Sequence, residues 1–101
     1  MGEDIQDRQE KLQAYLSRTP FASFLGIRCD VMGDEMTAIL KFDEKLIGNA
    51  SIQALHGGVT GAFLELTAMA QLFLLSEMPK LAKPINLSID YLRQARAEDL
   101  Y

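Results

Sequence analysis

Residues 56–76, HGGVTGAFLELTAMAQLFLLS, decide how the rest of this chain is read. From Gly57 to Ser76 there is one charged residue, Glu65. The run is too long for a strand, rich in Ala, Leu and Met, and apolar on nearly every side. That pattern predicts a helix, taken over 57–78, and a helix apolar all round is a buried one. Twenty residues at 1.5 Å rise span about 30 Å. The length approaches that of a membrane span, but Glu65, Gln71 and three glycines argue against one. His56-Gly57-Gly58 stands immediately before the helix, and the glycines permit close backbone approach there.

The flanking segments supply a sheet. Ile27, Cys29 and Val31 alternate with Arg28 and Asp30, and Met36, Ala38, Leu40 and Phe42 alternate beyond a Gly33-Asp34 turn. This predicts a β-hairpin with one wet face. Residues 85–93 alternate again and predict a third strand. Residues 4–18 read as an outer helix, with Ile5, Leu12, Tyr15 and Leu16 on one face and Pro20 ending the segment. Residues 21–25 read as a short apolar turn, and 43–56 as a loop containing Gly48-Asn49. Three strands do not cover a helix of this length. Either a second copy of the chain covers it or the chain is part of a longer protein.

Composition narrows the function. The 101 residues, 49% apolar and 24% charged, fit one globular domain. Ten Lys and Arg against fourteen Asp and Glu give a net charge of −4, which disfavours a nucleic-acid binder. A single cysteine, Cys29, excludes an intramolecular disulfide, and with one histidine it leaves no multi-cysteine metal site. The cysteine usage points to the cytosol. The charged start, MGEDIQDRQEK, is no signal peptide.

Chemistry gathers on the long helix. An ionised carboxylate is costly to bury, and no Lys or Arg lies between Lys45 and Lys80. Glu65 therefore requires a polar pocket, a partner subunit, a proton, or solvent reaching it through a gap in the packing. The first N–H groups of a helix lack internal partners and carry the positive dipole end, so they can hold a developing oxyanion. Glu65 lies nine residues after His56, about two and a half turns along. On one helix the two need not meet; a carbonyl at one helix start can face Glu65 across an interface between two such helices.

Ile47-Gly48-Asn49, Leu55-His56-Gly57-Gly58-Val59 and Phe63-Leu64-Glu65 together resemble the hotdog-fold thioesterases, in particular the phenylacetate-pathway and 4-hydroxybenzoyl-CoA thioesterase branch. The likeness spans about residues 20–97, including Asp90-Tyr91-Leu92-Arg93. It implies an α+β hotdog fold, an antiparallel sheet wrapped around the central helix, with further strands expected beyond Tyr101. It implies hydrolysis of an acyl-CoA thioester without metal or organic cofactor, at a site between subunits of a homodimer or homotetramer, with no nucleic-acid or membrane partner. Glu65 takes the position of the catalytic carboxylate, as nucleophile or general base. Gly57 matches the residue whose N–H binds the thioester oxygen, and His56 and Asn49 match polar residues that orient the carbonyl or the water.

Two readings compete. Glu65-Leu66-Thr67-Ala68-Met69-Ala70-Gln71 resembles a run in β-hydroxyacyl-carrier-protein dehydratases, which need a histidine farther upstream than His56. A catalytically silent hotdog module that binds acyl chains or only dimerises is the other. Phe63, Met69, Leu72 and Phe73 are candidates for an acyl pocket, although core packing accounts for each of them. Lys80, Lys83, Arg93 and Arg96 are candidates for the phosphates of coenzyme A, although a solvated surface accounts for these too.

Overall fold

The computed structural model describes residues 5–76 and 83–101. Helix α1 (Ile5–Ser17) is followed by α2 (Pro20–Leu25), strands β1 (Ile27–Met32) and β2 (Glu35–Leu40), a 3₁₀ turn at Glu44–Leu46, strands β3 (Ile47–Asn49) and β4 (Ala54–Leu55), and helix α3 (Gly57–Leu75). The side chain of Ile5 and residues 77–78, at the far end of the expected central helix, lie outside the described residues.

The hairpin follows the alternation. β1 and β2 pair antiparallel from Ile27 opposite Leu40 to Met32 opposite Glu35. Ile27, Cys29 and Val31 point into the core, and Arg28, Asp30 and Met32 point out. Leu12, Tyr15 and Leu16 of α1 pack on that inner face, with Phe63, Leu66, Ala70 and Leu74 of α3 completing the cluster. Tyr15 and Phe73 stack with ring centroids 4.4 Å apart. Cys29 is fully buried, and burial, with Asp30 adding to it, raises its thiol pKa to about 11. It is a core residue rather than a reactive thiol.

Polar side chains of α1 and α3 fasten this core at its edges. Gln9 acts as a surrogate strand: its amide donates to Cys29 C=O and its carbonyl accepts from Val31 N–H on the outer edge of β1. That blocks an edge otherwise open to pairing with another chain. Arg8 donates to Gly33 C=O and to Leu74 C=O and pairs with Asp34 at 3.1 Å, so one guanidinium ties the hairpin turn to the end of α3. Gln71 adds a bond to Asp34 C=O.

Four expectations need correcting. Pro20 does not merely end the first helix; it starts α2, because its fixed φ suits the first helical position. The expected turn at 21–25 is thus a helix, closed by Gly26 at φ 76°. The expected loop 43–56 contains β3 and β4, paired with a register shift between Ile47 and Asn49. Residues 85–93 form no strand with a ladder partner. Alternation specifies an extended chain with unlike faces, but not the neighbour it pairs with. Gln9 holds the β1 edge, Leu100 reaches β2 at Leu40, and residues 89–91 lie across the start of α3 instead.

The fourth correction concerns α3, which is buried on one face only. Leu64, Leu72 and Leu75 are 52%, 57% and 54% exposed on the other. By length and composition α3 could cross a membrane, yet its Phe63–Leu74 face is packed into the core.

Replacing Gln9 by Ala leaves a strand N–H and C=O without partners. Urea unfolding should show a loss of about 1–3 kcal/mol. A change within about 0.5 kcal/mol, the level of an ordinary surface substitution, would contradict the edge-blocking role.

Candidate active site at the start of the long helix

His56 is the N-cap of α3, with φ −63° and ψ 132°. Its Nδ1 accepts from Gly58 N–H at 2.9 Å. Its own N–H donates to Leu46 C=O at 2.8 Å, and its C=O accepts from Val59 N–H at 2.9 Å and Thr60 N–H at 3.3 Å. An imidazole nitrogen that accepts a hydrogen bond carries no proton, so the proton of the neutral ring sits on Nε2. His56 in this geometry presents a donor outward and holds its acceptor inside the helix cap.

These bonds use the first-turn donors unequally. Gly58, Val59 and Thr60 N–H all have acceptors at His56. Gly57 N–H has none among the described residues. One uncommitted N–H therefore remains at the positive end of a 19-residue helix. The carbonyl of the same residue accepts from two hydroxyls, Thr60 Oγ1 at 2.8 Å and Tyr91 Oη at 2.9 Å.

Asn49 reaches this place through β3. A Cβ on Gly48 would lie 2.6 Å from His56 Cα, so only glycine lets β3 cross so close to the helix cap. Asn49 Oδ1 accepts from Ser51 N–H at 3.1 Å, which fixes the side chain and leaves its NH₂ without a partner among the described residues. Asn49, His56 and Gly57 line one open groove together with Thr60, Phe63 and the segment around Tyr91. The described residues contain no cluster of three or more His, Cys, Asp or Glu side chains able to hold a metal ion.

Glu65 does not line this groove. It sits half-buried on α3, at the border of the exposed face, with no partner among the described residues. Eight residues separate it from Gly57, about 12 Å along the axis. The burial expected of Glu65 is thus partial. The four candidate residues divide into a group of three at the helix start and Glu65 two turns away.

The candidate acyl-pocket residues do not form one pocket. Phe63 borders the groove from the core, Met69 and Phe73 pack on the core side, and Leu72 points outward. Arg93 and Arg96 border the groove beside Asp90 and Glu98, while Lys83 is exposed and does not line it, and Lys80 lies outside the described residues. Sequence reasoning missed Tyr91, Thr60 and the role of Gly48. Gly48 preceding Asn49 was a usable signal, since a lone glycine in a strand marks a close approach. Nothing local marked Tyr91, whose contact spans 34 residues of chain.

The structure is similar to the crystal structure of a protein from the thioesterase superfamily, with TM-score 0.80 and 23% identity, over 92% of this chain and 70% of that one. No protein-family model and no curated protein sequence matches the chain. The structural likeness establishes the fold: an α+β hotdog, with antiparallel strands and a long helix packed against them.

The close crossing at Gly48 carries a direct test. Gly48→Ala forces β3 away from the helix cap, since a Cβ cannot sit 2.6 Å from backbone. The variant should lose about 1–3 kcal/mol in thermal or urea unfolding. Unchanged stability would mean that β3 does not approach His56 in this way.

Proposed function

We propose that the protein is a cytosolic thioesterase that hydrolyses acyl-CoA thioesters and works as a homo-oligomer of single hotdog domains. The observation that carries this reading is the N–H of Gly57, which has no acceptor among the described residues, in one groove with the outward Nε2–H of His56 and the amide of Asn49, likewise without an acceptor there. Donors that line one groove suit a carbonyl oxygen that gains negative charge as it is attacked. The similar structure's thioesterase superfamily and the His-Gly-Gly…Glu motif support a thioester as the substrate.

Hydrolysis requires a nucleophile or a base, and the motif carboxylate, Glu65, does not line the groove of its own protomer; Asp90 and Glu98 border it beside Arg93 and Arg96. Glu65 lies about 12 Å from Gly57 along its own helix. A second copy solves the geometry. The exposed face of α3, carrying Leu64, Leu72 and Leu75, packs against its equivalent, and the partner's Glu65 borders the groove. Water attacks the thioester carbon as the carboxylate takes its proton, or the carboxylate attacks first and water cleaves the resulting anhydride. In either route the carbonyl oxygen becomes the oxyanion at Gly57 and the C–S bond breaks; in the first the proton that the carboxylate took from water passes to the departing sulfur, and in the second the sulfur leaves as thiolate and takes its proton from solvent, which regains one when water cleaves the anhydride. Both routes use only water and groups of the chain. Arg93 and Arg96, at the groove's edge, are placed to meet coenzyme A phosphates.

Glu65→Gln keeps the size and removes the basicity. Steady-state assays over an acyl-CoA panel should show kcat reduced by at least ~10²-fold. KM should change by less than a few-fold, because the carbonyl donors remain. Melting temperature should hold or rise, since a half-buried carboxylate without a cation contributes little stability. Near-normal turnover with lowered stability would make Glu65 structural and leave an acyl-binding or dimerising module as the reading.

A further inference from the structure

The Gly57–Gly58 peptide is hydrogen-bonded at both ends. On its carbonyl side, Tyr91 Oη donates at 2.9 Å and Thr60 Oγ1 at 2.8 Å. On its N–H side, Gly58 donates to His56 Nδ1 at 2.9 Å. Hydrogen bonds in such a chain polarise one another, so a donor on the carbonyl makes the N–H a better donor. The acceptor at the end of the chain is the only histidine in the sequence.

We propose that Tyr91 is a positioning residue that acts through the Gly57–Gly58 peptide to hold His56 as the Nε2–H tautomer, with its donor aimed into the groove. The hydroxyl keeps the peptide plane oriented and strengthens the Gly58 bond to Nδ1. A proton on Nδ1 would break that bond. The ring is thereby set to donate to a carbonyl oxygen and is not set to accept a proton from water.

Local chain geometry shows that the placement is built. Tyr91 lies over Gly57, where an added Cβ would meet its ring at 3.6 Å. Ile89 packs against Gly61, where an added Cβ would lie 3.0 Å from Ile89 Cδ1 and 3.2 Å from the Tyr91 hydroxyl. Two glycines one turn apart thus open the helix surface to this segment. Tyr91 is itself 58% exposed, so burial of its ring does not explain why it lies there. Nor does a strand ladder, since residues 85–93 have none.

The catalytic consequence rests on the thioesterase reading; the tautomer does not. Tyr91→Phe removes the hydroxyl and keeps the ring. Imidazole ¹⁵N shifts of the single histidine report which nitrogen carries the proton. The wild type should show the Nε2–H form. In Tyr91→Phe the ratio of that form to the Nδ1–H form should fall at least about two-fold, with the Gly58 amide proton moving upfield. Thioester turnover should fall about two- to ten-fold in kcat, the equivalent of one neutral hydrogen bond, with KM within about two-fold. Should Tyr91→Phe fail to fold, Thr60→Val removes the other hydroxyl from the same carbonyl and should shift the tautomer ratio in the same direction. A folded variant with the tautomer ratio and the Gly58 shift unchanged overturns the proposal. If the wild type hydrolyses no acyl-CoA, the thioesterase reading fails while the imidazole shifts still decide the role of Tyr91.

Discussion

The hydrogen bond from Gly58 N–H to His56 Nδ1 is the constraint on which the site depends. It caps the long helix and fixes the ring that caps it. With Val59 and Thr60 N–H directed to His56 C=O, it leaves Gly57 as the one first-turn donor without a partner among the described residues. Two other parts of the chain converge on this point. Leu46 C=O holds the His56 backbone, Gly48 brings Asn49 alongside, and Tyr91 reaches back to Gly57 C=O. Any of these alone would be an ordinary capping or loop contact. Together they turn a helix terminus into a set of donors that all face one groove.

Helix α3 is asymmetric in a way that bears on the same site. Its inner face closes the core beneath α1 and the hairpin, and its outer face leaves Leu64, Leu72 and Leu75 largely in water. Covering such side chains is worth about 25 cal/mol for each Å² of apolar surface removed. Glu65 lies at the border between the two faces. A carboxylate there keeps part of its hydration and escapes the large penalty of full burial without a cation. It is also where a second helix laid on the exposed face would meet it.

Much of the fold was legible in the sequence because its signals are local. The alternation at Ile27, Cys29 and Val31 gave the inward face of β1, and Gly33-Asp34 gave the turn. The Gly57 start of α3 followed from the His-Gly-Gly run before an apolar stretch. The readings that failed depended on partners far along the chain. Pro20 is compatible with ending one helix or starting another, and only packing of Ala22 and Leu25 into the core decides. The alternation in 85–93 was real, but its neighbour is the start of α3. An apolar helix reads as buried whatever covers it, and here the described elements cover half. At the site, Asn49, His56 and Gly57 were visible as a motif, whereas Tyr91 was not. A tyrosine 34 positions away in an extended segment carries no local mark of the carbonyl it bonds.

The proposed hydrolysis requires that Gly57 N–H, alone of the first-turn donors, receive the carbonyl oxygen of the substrate. Amide NMR during titration with a non-hydrolysable ketone analogue of an acyl-CoA measures this directly. The account predicts that the Gly57 amide proton moves downfield on binding, while Gly58 and Val59, already bonded to His56, shift little. Saturable binding of the analogue with the Gly57 amide unmoved would contradict it.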